Sequence, residues 1–254
     1  MNKFTKITAS IGPKCEDYDT LAQMVRAGMN VCRLNFSHDT GDVQGAKIDL
    51  IRRVASDLNT PVAVMIDLQG PKHRIGNFAT EDKYPLTIGQ KFTFDDDPTP
   101  GDATRVQLPD ADVMKSLNPG DRILLNDGKI EMTVDTVADN KIVATVVRGD
   151  EIWSRRGFNL PDTDIATSVL TPKDRADLEY AITKKPDWVA ISFVQRPEDV
   201  AEVRDFITAR TAHPIKIIAK IERPNAVERI ADIAAAADGI MVARGDLAVE
   251  VPFE

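Results

Sequence analysis

The sequence predicts an α/β protein with a barrel-type parallel sheet, and three observations carry that prediction. Apolar, β-branched runs alternate with amphipathic helical patterns over residues 4–68 and again over 162–243, the rhythm of parallel α/β architecture. Charged and polar side chains gather at the C-terminal ends of those runs, where parallel α/β barrels keep their chemistry. Between the two regions, from about Ile75 to Leu160, short strand patterns are separated by turn signals, which marks an all-β insertion.

In order, Phe4 to Ile11 alternates apolar and polar residues and stops at Gly12 and Pro13, a first strand followed by a loop. Asp19 is placed to cap a helix over Thr20 to Ala27, ended by Gly28. Met29 to Phe36 reads as the second strand and delivers Arg33, Asn35, Ser37 and His38 in quick succession. An amphipathic pattern runs from Asp42 to Leu58, with Asp39 or Thr40 available as caps, and Pro61 to Leu68 is an apolar run of the kind buried in a parallel sheet. After Gly70 and Pro71 no convincing helix follows until Leu160. Strand candidates lie instead at Lys91 to Phe94, Arg122 to Leu125, Lys129 to Val134 and Lys141 to Val147.

From Asp162 the first rhythm resumes, with helices over Pro172 to Thr183 and Pro197 to Thr208 and a strand over Trp188 to Phe193. Ile215 to Asp246 then reads as strand, helix-compatible segment and strand, with the second strand over Gly239 to Ala243. Outside the insertion this gives about six strands, where a closed (β/α)8 barrel needs eight. The expected organisation is barrel over residues 1–74, inserted β domain over 75–160 and barrel again over 161–254, closing at ValProPheGlu.

Composition bounds the function. A chain of 254 residues, 43% hydrophobic, can bury a sizeable core. Its net charge of −8 and the lack of a basic block argue against nucleic acid as a partner. Nothing approaches the roughly 18 to 20 consecutive apolar residues of a membrane span. The N-terminus turns polar too soon for a secretory leader, and Cys15 and Cys32 alone make neither a disulfide framework nor a zinc site. A cytoplasmic location is expected.

Lys220 ends a buried run, where a lone cation is costly unless paired; its bland reading is an ion pair with Glu222, two residues on and on the same side of a strand. Its functional reading adds Asp246, at the end of the next strand, so that two carboxylates share Mg2+ (or Mn2+) while the ammonium faces an anion. AlaArgGlyAsp, residues 243 to 246, is either a turn with an N-cap aspartate or a short helix start that holds a carboxylate or phosphate. Arg33 and Asn35 share a strand face, with surface pairing as the plain alternative. Arg74, at the junction with the insertion, can grip phosphate or form a hinge ion pair. His73 has no triad or zinc context and reads as solvated or packed.

The segments TKITASIGPKCED, AGMNVCRLNFSHD, VAVMIDLQGPKHRIG, GDRILLNDGKI, GFNLP, LTPKDRADL, DWVAISFV, IIAKIERPNA and DGIMVARGDLAVEVP follow one another over the whole chain. In content and order the chain resembles the pyruvate kinase family. The resemblance implies a TIM-type barrel, here incomplete, and phosphoryl transfer from phosphoenolpyruvate to ADP giving pyruvate and ATP. Lys220 matches the family's catalytic lysine, Arg33 the arginine on the phosphate, and Glu222 and Asp246 the magnesium ligands. Gly245 and Asp246 match the backbone that receives the substrate carboxylate. Asn35, Phe36, Ser37, His38, Arg74 and Lys173 match nucleotide-binding positions, and the insertion, with Asp127 in its AsnAspGly turn, resembles the mobile lid over the nucleotide.

Departures from the family pattern shape further expectations. The potassium positions fall on Asn35, Ser37, Asp67 and Leu68, but Leu68 and Gln69 follow Asp67, and Lys72 stands where a glutamate is common. This resembles the potassium-independent branch, in which a fixed ammonium replaces the ion; an incidental surface lysine is the alternative. Ala248 stands where glycine is common, and tolerance is expected. The chain stops before the family's last two barrel strands, the seventh-strand threonine and the C-terminal domain, so the isolated polypeptide is expected to show little or no activity, and the homotetramer of the complete family is not assured. Two rival readings remain open at this point: a magnesium-dependent aldolase or lyase of the phosphoenolpyruvate-using barrels, and a non-catalytic fragment.

Overall fold

The structure, a computed structural model, describes residues 4–165 and 167–251; the last three residues of the closing ValProPheGlu lie outside them. The chain opens with β1 (Thr8–Ile11), α1 (Tyr18–Arg26), β2 (Val31–Asn35), α2 (Gly41–Asp57) and β3 (Ala63–Asp67). The helix expected from Thr20 starts earlier because Asp17, not Asp19, is the cap: its carboxylate accepts from the Thr20 N–H at 2.9 Å. Thr40, one of the two caps proposed for α2, is its N-cap residue, without a side-chain capping bond.

The insertion contributes β4 (Tyr84–Pro85), β5 (Lys91–Asp95), β6 (Arg105–Gln107), α3 (Ala111–Ser116), β7 (Arg122–Leu125), β8 (Ile130–Ala138), β9 (Lys141–Arg148), β10 (Glu151–Ile152) and β11 (Phe158–Asn159). Helix α3 corrects the expectation of a helix-free stretch. At six residues it is too short to show a 3.6-residue period, and it is held by Asp110, whose side chain accepts from the Val113 N–H. The chain continues with α4 (Pro172–Thr183), β12 (Trp188–Ile191), α5 (Pro197–Thr208), β13 (Lys216–Ile221), α6 (Pro224–Glu228), α7 (Ile230–Ala236), β14 (Gly239–Val242) and α8 (Arg244–Glu250).

These elements form two units. The first holds residues up to Pro71, Ser168–Ile221 and Arg229–Val242; the second holds Lys72–Thr167, Glu222–Glu228 and the chain from Ala243 onward.

In the first unit six strands pair in the order β1-β2-β3-β12-β13-β14, every pair parallel. This is an α/β fold, an incomplete TIM-type barrel. Strand β13 is buried along most of its length, whereas β14, which among the described residues pairs with β13 alone, leaves Val242 58% exposed. Close packing of α2 on α4 depends on Gly45, where a Cβ would come within 2.5 Å of the Tyr180 hydroxyl. The N-terminus of α4 is fixed by a reciprocal cap between Thr171 and Asp174 and by a proline in its first turn. Asp174 also accepts from the Gln69 N–H at 2.9 Å and the Gly70 N–H at 3.3 Å, which ties down the loop after β3.

In the second unit a sheet runs β11-β7-β8-β9-β5-β6, antiparallel except for the β5–β6 pair, and β4 pairs with β10. Alternation along β5, β8 and β9 points Phe92, Phe94, Met132, Val134, Ile142 and Ala144 inward. No helix among the described residues is long and apolar enough to cross a membrane.

Candidate active site

In the first unit the parallel register sets the strand ends level: Asn35 lies opposite Asp67, Asp67 opposite Ala190, and Ser10 opposite Arg33. Polar side chains that alternation turns to one side therefore converge. Arg33 binds Asp67 through Nε at 2.6 Å and Nη2 at 2.5 Å, while its Nη1 donates to Ser10 Oγ at 2.6 Å. Lys220 Nζ lies 3.2 Å from the other Asp67 oxygen and donates to Ser192 Oγ at 2.7 Å. Ser192 in turn donates to the Leu68 carbonyl at 2.7 Å. The Asp67 side chain is 2% exposed, that of Lys220 11% and that of Arg33 29%.

Two cations thus converge on one buried carboxylate. Clustered cations in a low-dielectric recess favour an anion, and the more open Arg33 can present a guanidinium edge to it. The contact of Lys220 with Asp67 depends on strand register and has no local signature. Ser10 and Ser192 were missed altogether, although each sits at or just past a strand's C-terminal end.

The remaining expected residues of this unit lie on the loops after β2 and β3 and on α4. Asn35 accepts from the Ser37 N–H through its side chain at 3.0 Å. Phe36 is buried, and its carbonyl accepts from Lys173 Nζ at 2.6 Å; Lys173 also pairs with Asp177 at 2.5 Å. His38 is exposed, and its carbonyl accepts from Gln44. Leu68 is buried, its N–H donating to the Ala190 carbonyl.

The second unit carries the other candidates. Glu222 is buried at 1% exposure, and the Asp246 side chain is 37% exposed. Asp246 falls in the first turn of α8 with Ala243 at the N-cap, so the alternative of an N-cap aspartate does not hold. Lys72 Nζ lies 3.3 Å from Asp246 Oδ1, with side chains 30% and 37% exposed. Gly245 and Ala248 are exposed on the same helix. Arg74 donates to the Arg155 carbonyl at 3.0 Å, and Asp127 occupies the β7–β8 turn with φ of 54°. His73 is packed, its Nδ1 2.6 Å from Asp110.

No group of three or more His, Cys, Asp or Glu among the described residues is placed to hold a metal. Two carboxylates, Glu222 and Asp246, are nevertheless a donor set that suits Mg2+, which commonly takes one or two carboxylates and completes its shell with water and substrate phosphate oxygens.

Comparison with known proteins bears on this arrangement. The family described as pyruvate kinase, barrel domain, matches residues 2–254. A pyruvate kinase of Methylorubrum extorquens is 42% identical over 250 residues, covering 98% of this chain and 51% of its own. One of Thermococcus litoralis is 39% identical over 250 residues, covering 98% and 52%. The crystal structure of a pyruvate kinase from Cryptosporidium parvum is similar with a TM-score of 0.93 at 32% identity, over 98% of this chain and 52% of that one. The chain spans about half the length of these relatives.

Proposed function

Because the chain belongs to the pyruvate kinase family, through its barrel domain, we propose that it serves phosphoryl transfer from phosphoenolpyruvate to ADP. One observation supports this above the others: Arg33 and Lys220 converge on the buried carboxylate of Asp67 at the strand ends, a guanidinium and an ammonium placed side by side. The transfer breaks the bond between phosphorus and the enol oxygen and forms one to a terminal phosphate oxygen of ADP. The electron pair of the broken bond stays on the enolate, which takes a proton at carbon to become pyruvate. Such a reaction asks the protein mainly for positioning and charge neutralisation. Lys220 neutralises the phosphoryl group in flight, and Arg33 grips its oxygens.

Glu222 and Asp246 are the carboxylates that would hold Mg2+ or Mn2+, which supplies charge neutralisation at the phosphate oxygens when bound. The backbone at Gly245 and Asp246 receives the substrate carboxylate. Asn35, Phe36, Ser37, His38, Arg74, Lys173 and Asp127 contact the nucleotide, Lys173 exchanging its contact with Asp177 for a phosphate oxygen. Lys72 supplies the fixed charge that potassium gives elsewhere in the family, so potassium is not required. The reading places the chain in the cytoplasm.

A lactate dehydrogenase-coupled assay with phosphoenolpyruvate, ADP and Mg2+ in tetramethylammonium buffer tests it. Pyruvate formation by this chain is expected to be weak, and what there is should disappear in Lys220→Met and be indifferent to added potassium. Turnover that survives Lys220→Met, or that requires potassium, contradicts the reading.

A further inference from the structure

Adjacent in sequence to the two carboxylates of the second unit is a buried ion pair that the proposed chemistry does not use. Arg223, 6% exposed, directly follows Glu222, and its Nε lies 3.3 Å from Oε2 of Glu250, itself 4% exposed. Glu250 is the last residue of α8 and stands four residues after Asp246, on the same side of that helix. The other Glu250 oxygen accepts from Asn159 Nδ2 at 2.8 Å, and Asn159 belongs to β11, paired with β7. The Arg223 guanidinium is anchored in turn by the Leu160 carbonyl at 2.7 Å and the Thr163 carbonyl at 3.1 Å.

A buried ion pair of this kind contributes little net stability, because desolvating both charges offsets their attraction. It does fix geometry. The planar guanidinium has its donors committed in several directions, and Glu250 is held through both oxygens.

We propose that Arg223, Glu250 and Asn159 form a positioning clamp that sets the spacing between the Glu222 and Asp246 carboxylates for a divalent cation. The inference rests on the reading of Glu222 and Asp246 as metal ligands. One end of the clamp is covalently next to Glu222, and the other is one helical turn from Asp246. A change in the Arg223–Glu250 contact therefore moves one carboxylate relative to the other. Lys72, 3.3 Å from Asp246, competes with a cation for that carboxylate by its charge.

The test is Mn2+ affinity of the chain, read by the electron paramagnetic resonance signal of free Mn2+, with circular dichroism and thermal unfolding as controls. Glu250→Ala removes one partner and is expected to lose both stability and affinity. Arg223→Met/Glu250→Met replaces the pair with apolar side chains of similar reach. It is expected to recover thermal stability yet bind Mn2+ about 10- to 100-fold more weakly, the range for loss of groups that orient metal ligands. Glu250→Asp, which keeps the charge but shortens the reach, is expected to fall between wild type and the double variant.

If Mn2+ binds, is lost in Asp246→Asn and is unchanged in the folded double variant or in Glu250→Asp, the clamp is overturned and the metal site stands. If wild type binds no Mn2+, or Asp246→Asn binds as tightly as wild type, both the metal reading and the clamp fail.

Discussion

In the parallel-sheet unit the strand ends meet around a charge, whereas in the β-rich unit the strands enclose rings. Asp67, 2% exposed, holds both Arg33 and Lys220. In the other unit Phe94 lies 5.4 Å from Phe92 and 5.3 Å edge-on from Phe158, inside an apolar cluster that runs from Ile75 to Ile165. The contrast teaches where each unit is vulnerable. An apolar interior loses stability by the volume removed. A buried charge cluster loses it when one member is removed and the others are left uncompensated.

The chain's two tryptophans make this measurable, because Trp188 lies in the parallel-sheet unit and Trp153 in the β-rich unit. With one tryptophan retained at a time, Asp67→Ala is expected to cost about 3–5 kcal/mol in the unfolding transition seen by Trp188. Phe94→Ala is expected to cost about 3–5 kcal/mol in the transition seen by Trp153. Either substitution shifting both signals equally would show that the two interiors do not lose stability separately.

A smaller effect is expected at Gly70, on the loop that Asp174 ties to α4. Its φ is +68°, and a Cβ there would stand 2.8 Å from Ser192 Cβ and 3.0 Å from Phe193. Gly70→Ala should therefore cost about 1–3 kcal/mol, from the left-handed backbone and from crowding at Ser192. Because Ser192 binds Lys220, the variant should also weaken anion binding. Stability equal to wild type would show that the loop relaxes freely.

The smallest effects separate the units by sign. In the β-rich unit, burial pushes the Asp110 carboxyl up, but hydrogen bonds from His73 and the Val113 N–H outweigh it and hold the group below the ordinary value. Asp162 is lowered chiefly by its hydrogen bonds to Arg122. Their ionised forms add stability above the unfolded-chain value, about 3.9, and that stability is lost as pH falls through the lower folded values. In the parallel-sheet unit Asp199 is raised, chiefly by burial. Its contribution is full below about 3.9 and is lost as pH rises through the raised folded value. Titrating unfolding midpoints between pH 3 and 7, Asp162→Asn should flatten the acid loss reported by Trp153. Asp199→Asn should raise the neutral-pH stability reported by Trp188, since an amide oxygen can still accept from the Gln195 and Arg196 N–H groups that now share one Asp199 oxygen. The same sign in both units would contradict the assignment.

What the sequence disclosed follows the same division. Helices α4 and α5 were placed at Pro172–Thr183 and Pro197–Thr208, because a proline in the first turn marks each start and the apolar spacing persists for three turns. The strands carrying Arg33, Asp67 and Lys220 were legible from their apolar runs. Their meeting was not, since it requires the register of β1, β2, β3, β12 and β13 together. The strands missed in the β-rich unit, β4, β6, β10 and β11, are two or three residues long and carry too little alternation to read. The Arg223–Glu250 pair was invisible for a similar reason: a buried arginine looks like any other until its carboxylate partner is placed beside it.

Isothermal titration of phosphoenolpyruvate into the chain in the presence of Mg2+, for wild type, Lys220→Met and Arg33→Met, reads the charge cluster directly. If the cations around Asp67 receive the phosphoryl group, wild type binds and each variant loses at least about tenfold in affinity, the loss expected from a charge-assisted contact. Wild type that does not bind, or variants that bind as wild type does, would contradict the account.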